Sequence, residues 1–258
     1  MIRNVAFALG LFLLLAQPAS AGPAEDKLMT CMRANIPPTL RIQEFQLSSI
    51  DGKGERRLMT GKLFAKRENN LLRAMLKLTA PADVNGAAYL IREGAKADEM
   101  YVFLPALNRT RRIVGGAGDG PLFGTDMSYA DIKQVQNAFN GSDPKIEGRE
   151  KIDNRPVTVL GIAPTAESGS RYSRIKAWID DESCVALKVE FLEGTTVRKR
   201  LSAPGSSLAK ATDYWYVSES TMTDLKLGSK TQLKITGVKS GEDLANRYFD
   251  SRNFFLGN

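Results

Sequence analysis

Two periodicities divide the chain. Residues 24–36 set Leu28, Cys31, Met32 and Ile36 at i, i+3, i+4 and i+8, the apolar stripe of an amphipathic helix, and Pro37-Pro38 ends it. From there the period is two. Strands are predicted over 39–50, 56–66, 71–80, 87–93, 98–104, 109–114, 145–153, 155–163, 172–180, 185–193, 195–203, 209–225 and 229–238. Leu72, Ala74, Leu76 and Leu78 alternate with Arg73, Met75, Lys77 and Thr79, and Val185, Leu187, Val189 and Phe191 with Ala186, Lys188, Glu190 and Leu192. Such strands carry one apolar and one mostly polar face, as in an antiparallel sheet with one wet side. Asp51-Gly52-Lys53-Gly54 and Glu68-Asn69-Asn70 have the composition of hairpin turns.

One break interrupts the strands. Residues 115–124, GGAGDGPLFG, form a glycine-rich loop that leads into a helix predicted over 126–139. Ser128 with Asp131 fits its N-terminal capping box, and Tyr129, Ile132, Val135 or Gln136, and Phe139 give it a sticky face. No linker composition or internal repeat divides the chain, which predicts a single domain over 22–258. A meander of about a dozen strands must curl or close to hide its faces and edges. The expected class is mainly β: a strongly curved antiparallel sheet, with the two helices covering its concave apolar side and a cavity between them.

The first twenty-one residues read as an address. Arg3 precedes an apolar run from Val5 to Ala16, and Ala19-Ser20-Ala21 matches a peptidase site, so a signal peptide is expected over 1–21 with cleavage after Ala21. The run is too short for the ~20 residues of a membrane-spanning helix. Charged Glu25, Asp26 and Lys27 separate it from Cys31, which argues against a lipid-modified cysteine there. Losing Arg3 lowers the formal net charge from +7 to +6. Export argues against nucleic acid as a partner and leaves peripheral contact with anionic headgroups or an acidic protein surface, or simple solubility. Cys31 and Cys184 share an oxidising compartment, where a disulfide is expected between them. Two separate buried thiols are the alternative.

Composition then narrows the chemistry. The chain has no histidine, which removes imidazole bases, Ser-His-Asp triads and His-ligated metals, and two cysteines cannot build a metal cage. No cofactor and no metal are expected. The glycine loop fails as a nucleotide fingerprint because Pro121 stands where the last glycine should be. Ser207-Leu208-Ala209-Lys210 matches a Ser-x-x-Lys nucleophile motif by spacing, but follows Pro204-Gly205 between strands and lacks the companion motifs. Asp180, Asp181 and Glu182 offer carboxylates that a turn explains equally well. The basic cluster Arg109, Arg111 and Arg112 reads as a solvated strand face, or as a polar latch in which Arg109 and Arg112 meet Asp126. No enzyme is expected.

Three ordered segments carry a resemblance. Residues 78–86, with Pro81-Ala82-Asp83-Val84-Asn85-Gly86, resemble a "PADVxG" segment. Residues 100–113 resemble an "LPALxRxRRI" strand, and 123–131 resemble a "GSDFSYED" helix start with Thr125 and Met127 replacing Ser and Phe. Trp178-Ile179-Asp180 and Leu187-Lys188-Val189-Glu190 follow in order. Together they are similar to the LolA-like outer membrane lipoprotein-sorting family of exported bacterial proteins. The resemblance implies an incomplete β-barrel of LolA/LolB type with a helical lid over a hydrophobic cavity. It implies a non-catalytic periplasmic carrier of a lipid, acyl chain or lipoprotein toward the outer membrane. The alternative is an accessory protein that docks an inner-membrane transporter of the resistance-nodulation-division (RND) type without cargo. For a carrier, the cavity lining expected from alternation is Leu76, Leu78, Val102, Leu104, Val189 and Phe191, with Leu122, Phe123 and Tyr129 as lid residues at its mouth.

Overall fold

Thirteen strands form one antiparallel sheet, and the route of the chain explains its order. The computed structural model of the protein describes residues 22–136, 138–139, 142–165, 170–241 and 247–257; the expected signal peptide, 1–21, lies outside them. Helix α1 (Pro23–Ala34) opens with Pro at its first position and Glu25 and Asp26 in its first turn, all favourable to a helix N-terminus. Six strands then step outward by hairpins: β1 (Leu40–Ile50), β2 (Arg56–Glu68), β3 (Leu71–Ala80), β4 (Ala88–Arg92), β5 (Glu99–Leu104) and β6 (Arg109–Ile113). The chain crosses to the far edge and steps back through β7 (Ser142–Ile152), β8 (Arg155–Ala163), β9 (Arg174–Asp180), β10 (Ala186–Glu193) and β11 (Thr196–Ser202). After a separate hairpin, β12 (Leu208–Ala211) and β13 (Tyr214–Val217), strands β14 (Glu219–Asp224) and β15 (Ser229–Gly241) return to pair with β1. The order is therefore β6-β5-β4-β3-β2-β1-β15-β14-β11-β10-β9-β8-β7, a curved sheet not closed into a barrel.

Local chemistry sets the turns and the curvature. Asn69 and Asn70 hold left-handed backbone (φ 50° and 62°) in the β2–β3 turn, the conformation a two-residue hairpin needs. Asp51 Oδ1 accepts from the backbone N–H groups of Lys53 and Glu55 and closes the β1–β2 turn. Gly61 lies opposite Phe45, where a Cβ would sit 2.6 Å from the ring, and the β2–β3 register shifts beside it. Such a glycine bulge bends the sheet around the aromatic ring.

The inner face is the one whose apolar cluster draws on both halves of the sheet. It gathers Phe45, Leu47, Leu63, Leu76, Leu78, Tyr89 and Val102 from one half and Ala177, Val189, Phe191, Leu201 and Met222 from the other. Met32 and Ile36, in and just beyond α1, join it, as do Leu122, Met127, Ile132 and Phe139 from the crossing segment. Cys31 and Cys184 form the expected disulfide, Cα–Cα 5.8 Å, and pin α1 to the start of β10.

Several expected elements are redrawn. The helix expected over 126–139 shrinks to α2 (Asp131–Val135). Its capping box is present, with Ser128 N–H donating to Asp131 Oδ2 and Asp131 N–H to Ser128 Oγ, but Asp126 is drawn to β15 before the helix begins. The strand expected over 209–225 breaks into β12, β13 and β14: Thr212 turns the chain with φ 55° after β12, and Ser218, bonded to Ser207 on one side and Ile235 on the other, passes it from the small hairpin to the main sheet. Leu187 packs on the outer face with Trp178, not inward with Val189, since a bulge between Ala186 and Lys188 resets the alternation. The outer face is not simply wet either. Residues 247–257 strap it over β1–β5, with Tyr248 stacked on Phe64 (4.6 Å) and Phe255 on Phe103 (3.9 Å).

Candidate ligand-binding face

Alternation brings five of the six predicted lining residues together. Leu76, Leu78, Val102, Val189 and Phe191 are buried in the inner-face cluster, and Leu104, partly buried, packs against it. The crossing segment between β6 and β7 fills the concave face as a plug, and Leu122, expected at the mouth, is fully buried in the cluster. Phe123 is half-buried at the tip of a turn with φ 51°, and Tyr129 lies with its ring 5.0 Å from that of Tyr89.

Polar ties seat this plug. Tyr89 OH donates to the Tyr129 carbonyl at 2.7 Å, and Lys199 Nζ to the Asp126 carbonyl at 2.7 Å. Asp126 does not meet Arg109 or Arg112. Its carboxylate accepts from Ser229 Oγ and, at 2.7 Å, from Thr231 Oγ1, while both arginines stand exposed on edge strand β6. The expected latch is thus replaced by two β15 hydroxyls. A second anchor is Glu93, just beyond β4. Its buried carboxylate receives Arg33 of α1 at 2.8 and 3.0 Å, the Leu72 N–H at 2.8 Å and, at 3.4 Å, Lys133 of α2. Burial alone would raise the Glu93 pKa, but the Arg33 hydrogen bonds and the Lys133 charge outweigh it and hold the carboxyl below its ordinary value. One carboxylate therefore fastens both covers.

A third tie lies at the other end. Arg41 of β1 is buried and donates to the Asn35 carbonyl at 3.2 Å and to Gln136 Oε1 at 2.8 Å. Its Nε–H has no acceptor among the described residues, and burial lowers its pKa to about 10. Sequence alternation gave no sign of this residue. Arg41 and Gln43 face inward and Leu40 outward, the reverse of the usual assignment, because the C-terminal strap offers Leu40 an apolar cover.

The plug leaves an opening at its rim, where two adjoining clefts of about 80 and 220 Å³ share Ala97, Asp98, Asp119, Ala130 and Ser170. The smaller reaches inward to Phe191, Ile175 and Tyr172, all buried at its floor. Burial pushes up the Asp131 and Asp119 carboxyls and the Tyr172 phenol, whose hydroxyl has no partner among the described residues. The rim carries both signs of charge, Asp98, Asp119 and Asp131 against Lys96, Lys133 and Arg112, beside apolar side chains.

The rejected chemistry stays apart from this face. Ser207 Oγ donates to the Pro204 carbonyl at 2.6 Å, and Lys210 lies over the Trp215 ring. Asp180 is clamped by Arg155 at 2.6 and 2.9 Å, Asp181 accepts from Thr158 Oγ1, and Glu182 pairs with Arg155, a turn laced by ion pairs. Among the described residues, no cluster of acids and cysteines could hold a metal ion, and no helix is long and apolar enough to cross a membrane.

A family model described only as "uncharacterized protein" matches residues 72–254. No curated protein matches the chain significantly. Among solved structures, a DUF1329 family protein from Desulfovibrio piger superposes with a TM-score of 0.79 at 23% identity, over 88% of this chain and 96% of that one. A domain named for outer membrane lipoprotein sorting, from Vibrio parahaemolyticus, gives 0.76 at 22% over 90% and 100%. A LolA superfamily protein from Nitrosomonas europaea gives 0.63 at 14% over 87% and 96%. These likenesses show the fold, an open LolA-like sheet.

Proposed function

We propose that this chain, which belongs to the family of uncharacterized proteins matched over residues 72–254 and folds as an open LolA-like sheet, is a non-catalytic periplasmic carrier of an amphiphile. Residues 22–258 would act as one unit after loss of 1–21, and the cargo would be a lipid, an acyl chain or a lipoprotein bound for the outer membrane. The observation that carries this reading is the seating of the plug. A continuous apolar face spanning both halves of the sheet is covered by a segment that lays Leu122, Met127, Ile132 and Phe139 against it and is tied down by separable polar contacts. Such a cover can be exchanged for a ligand of similar apolar surface. The names given to the structural neighbours from Vibrio parahaemolyticus and Nitrosomonas europaea point the same way.

Burying one acyl CH₂ contributes about 0.8 kcal/mol, so a chain of roughly a dozen carbons supplies about the −8 kcal/mol of micromolar binding. Displacing the plug subtracts from that sum, which leaves affinity weak enough for release without chemistry. Native mass spectrometry of protein purified from the periplasm tests the reading. A co-purifying amphiphile mass that a folded Leu104→Glu variant lacks is the expected result. Wild-type protein that carries no lipid and binds no fatty acid or phospholipid would reject it.

A further inference from the structure

Four cationic side chains are buried among the described residues, and three have a carboxylate. Lys133 has Glu93 and Asp98, Arg198 has Asp224, and Lys199 has Asp131 at 3.6 Å. Arg41 has none. Its two contacts are neutral oxygens, and its Nε–H is unpartnered among the described residues. A buried guanidinium without a counter-ion is costly, and its flat fork of donors matches the two oxygens of a carboxylate or phosphate.

The surroundings say what could bring those oxygens. Arg41 lines a cavity of about 30 Å³ whose other walls include Leu201, Leu233, Ile235 and Trp215. That space admits a head-group oxygen but no chain. From it an apolar track leads across the inner face. Leu201 pairs with Met222 on one side and with Val189 on the other, and Phe191, further along β10, lines the rim cleft. The track lies under the plug, and the plug residue Gln136 is itself held by Arg41.

We infer that Arg41 is the head-group site of the carrier: an amphiphile with an oxyanion head, carboxylate or phosphate, binds with its head on the Arg41 fork and its chain along Leu201, Val189 and Phe191. The inference rests on the carrier reading and adds the charge and the orientation of the cargo. An arriving head would compete with Gln136 for the guanidinium, so loading and release of the plug become one event.

The test compares oleate with monoolein, which has the same chain and a neutral head, on wild-type mature protein and on Arg41→Gln, with Arg41→Lys as a second variant that keeps charge but loses the fork. Displacement of a fluorescent fatty acid gives the affinities, and the Arg41 Nε–H resonance reports occupancy. Wild type should prefer oleate at least tenfold. Arg41→Gln should bind both alike at the monoolein affinity, and Arg41→Lys should fall between. Equal wild-type affinities, or a preference that survives in both variants, would overturn the inference while leaving the carrier reading standing. Binding of neither amphiphile would reject the carrier reading, and this assignment with it. A phospholipid and inorganic phosphate form the remaining arms. A resonance moved by inorganic phosphate alone would assign Arg41 to a free anion and overturn the amphiphile head.

Discussion

Replacing Glu93 by Gln tests how the plug is held. The substitution keeps the shape and an acceptor for the Leu72 N–H, but removes the charge that faces Arg33 and Lys133. Removing one partner of a buried ion pair costs about 3–5 kcal/mol. Lys133 keeps Asp98 at 2.9 Å and Arg33 keeps the Phe139 carbonyl at 3.0 Å, so we expect about 2–3 kcal/mol here. Spent on local opening, at 1.4 kcal/mol per factor of ten, that is roughly 30- to 150-fold more frequent exposure of residues 122–136. Hydrogen exchange read by mass spectrometry should show this gain in 122–136 and little change in β8–β10. The acid dependence has a definite sign. Because the folded pKa is depressed, the stabilisation is whole above the ordinary glutamate pKa and disappears as pH falls through the folded value. Acid should therefore loosen the plug more in the wild type than in Glu93→Gln, which keeps the Asp98, Asp126 and Asp131 carboxylates to titrate there. Equal loss of protection in plug and strands would mean that Glu93 supports the whole fold, and unchanged plug exchange would mean that it fastens nothing.

Two further outcomes concern stability. Replacing Cys31 and Cys184 together by Ser opens a loop of 153 residues and should cost up to about 5 kcal/mol in the chain-entropy model, a fall of about 10 °C or more in Tm by calorimetry. A Tm within about 2 °C of wild type would show that packing of Met32 and Ile36 fixes α1 without the bond. Phe254→Ala empties a fully buried site under the C-terminal strap and should destabilise by about 3–5 kcal/mol, with fatty-acid affinity kept within about twofold. An affinity that falls in step with stability would tie the outer face to binding.

Much of this was legible because the local rules acted alone. The Asn69-Asn70 turn, the Ser128–Asp131 capping box and the apolar alternation of β3 each depend on residues within a few positions. What misled were places where a distant segment decides. Arg41 turns inward and Leu40 outward because residues some two hundred positions later cover the outer face. The helix expected from 126 starts at 131 because Ser229 and Thr231 claim Asp126. Leu187 leaves the inward set because β9 and β10 slip by one residue beside it, a slip that no single-strand pattern reveals. The six residues proposed as lining share one apolar cluster, as their alternation suggests; that the chain covers it with its own crossing segment, β6 to β7, depends on contacts far apart in sequence.

The most direct test of the account is photo-crosslinking with a fatty acid that carries a diazirine at its methyl end, followed by peptide mapping. If the chain lies on the inner face under a displaced plug, label should fall on peptides containing Val189, Phe191, Leu76, Leu78 or Val102, and saturating oleate should abolish it. Label confined to the C-terminal strap or the outer face, or label that oleate does not compete away, would contradict the central claim that the concave face is where this protein carries its cargo.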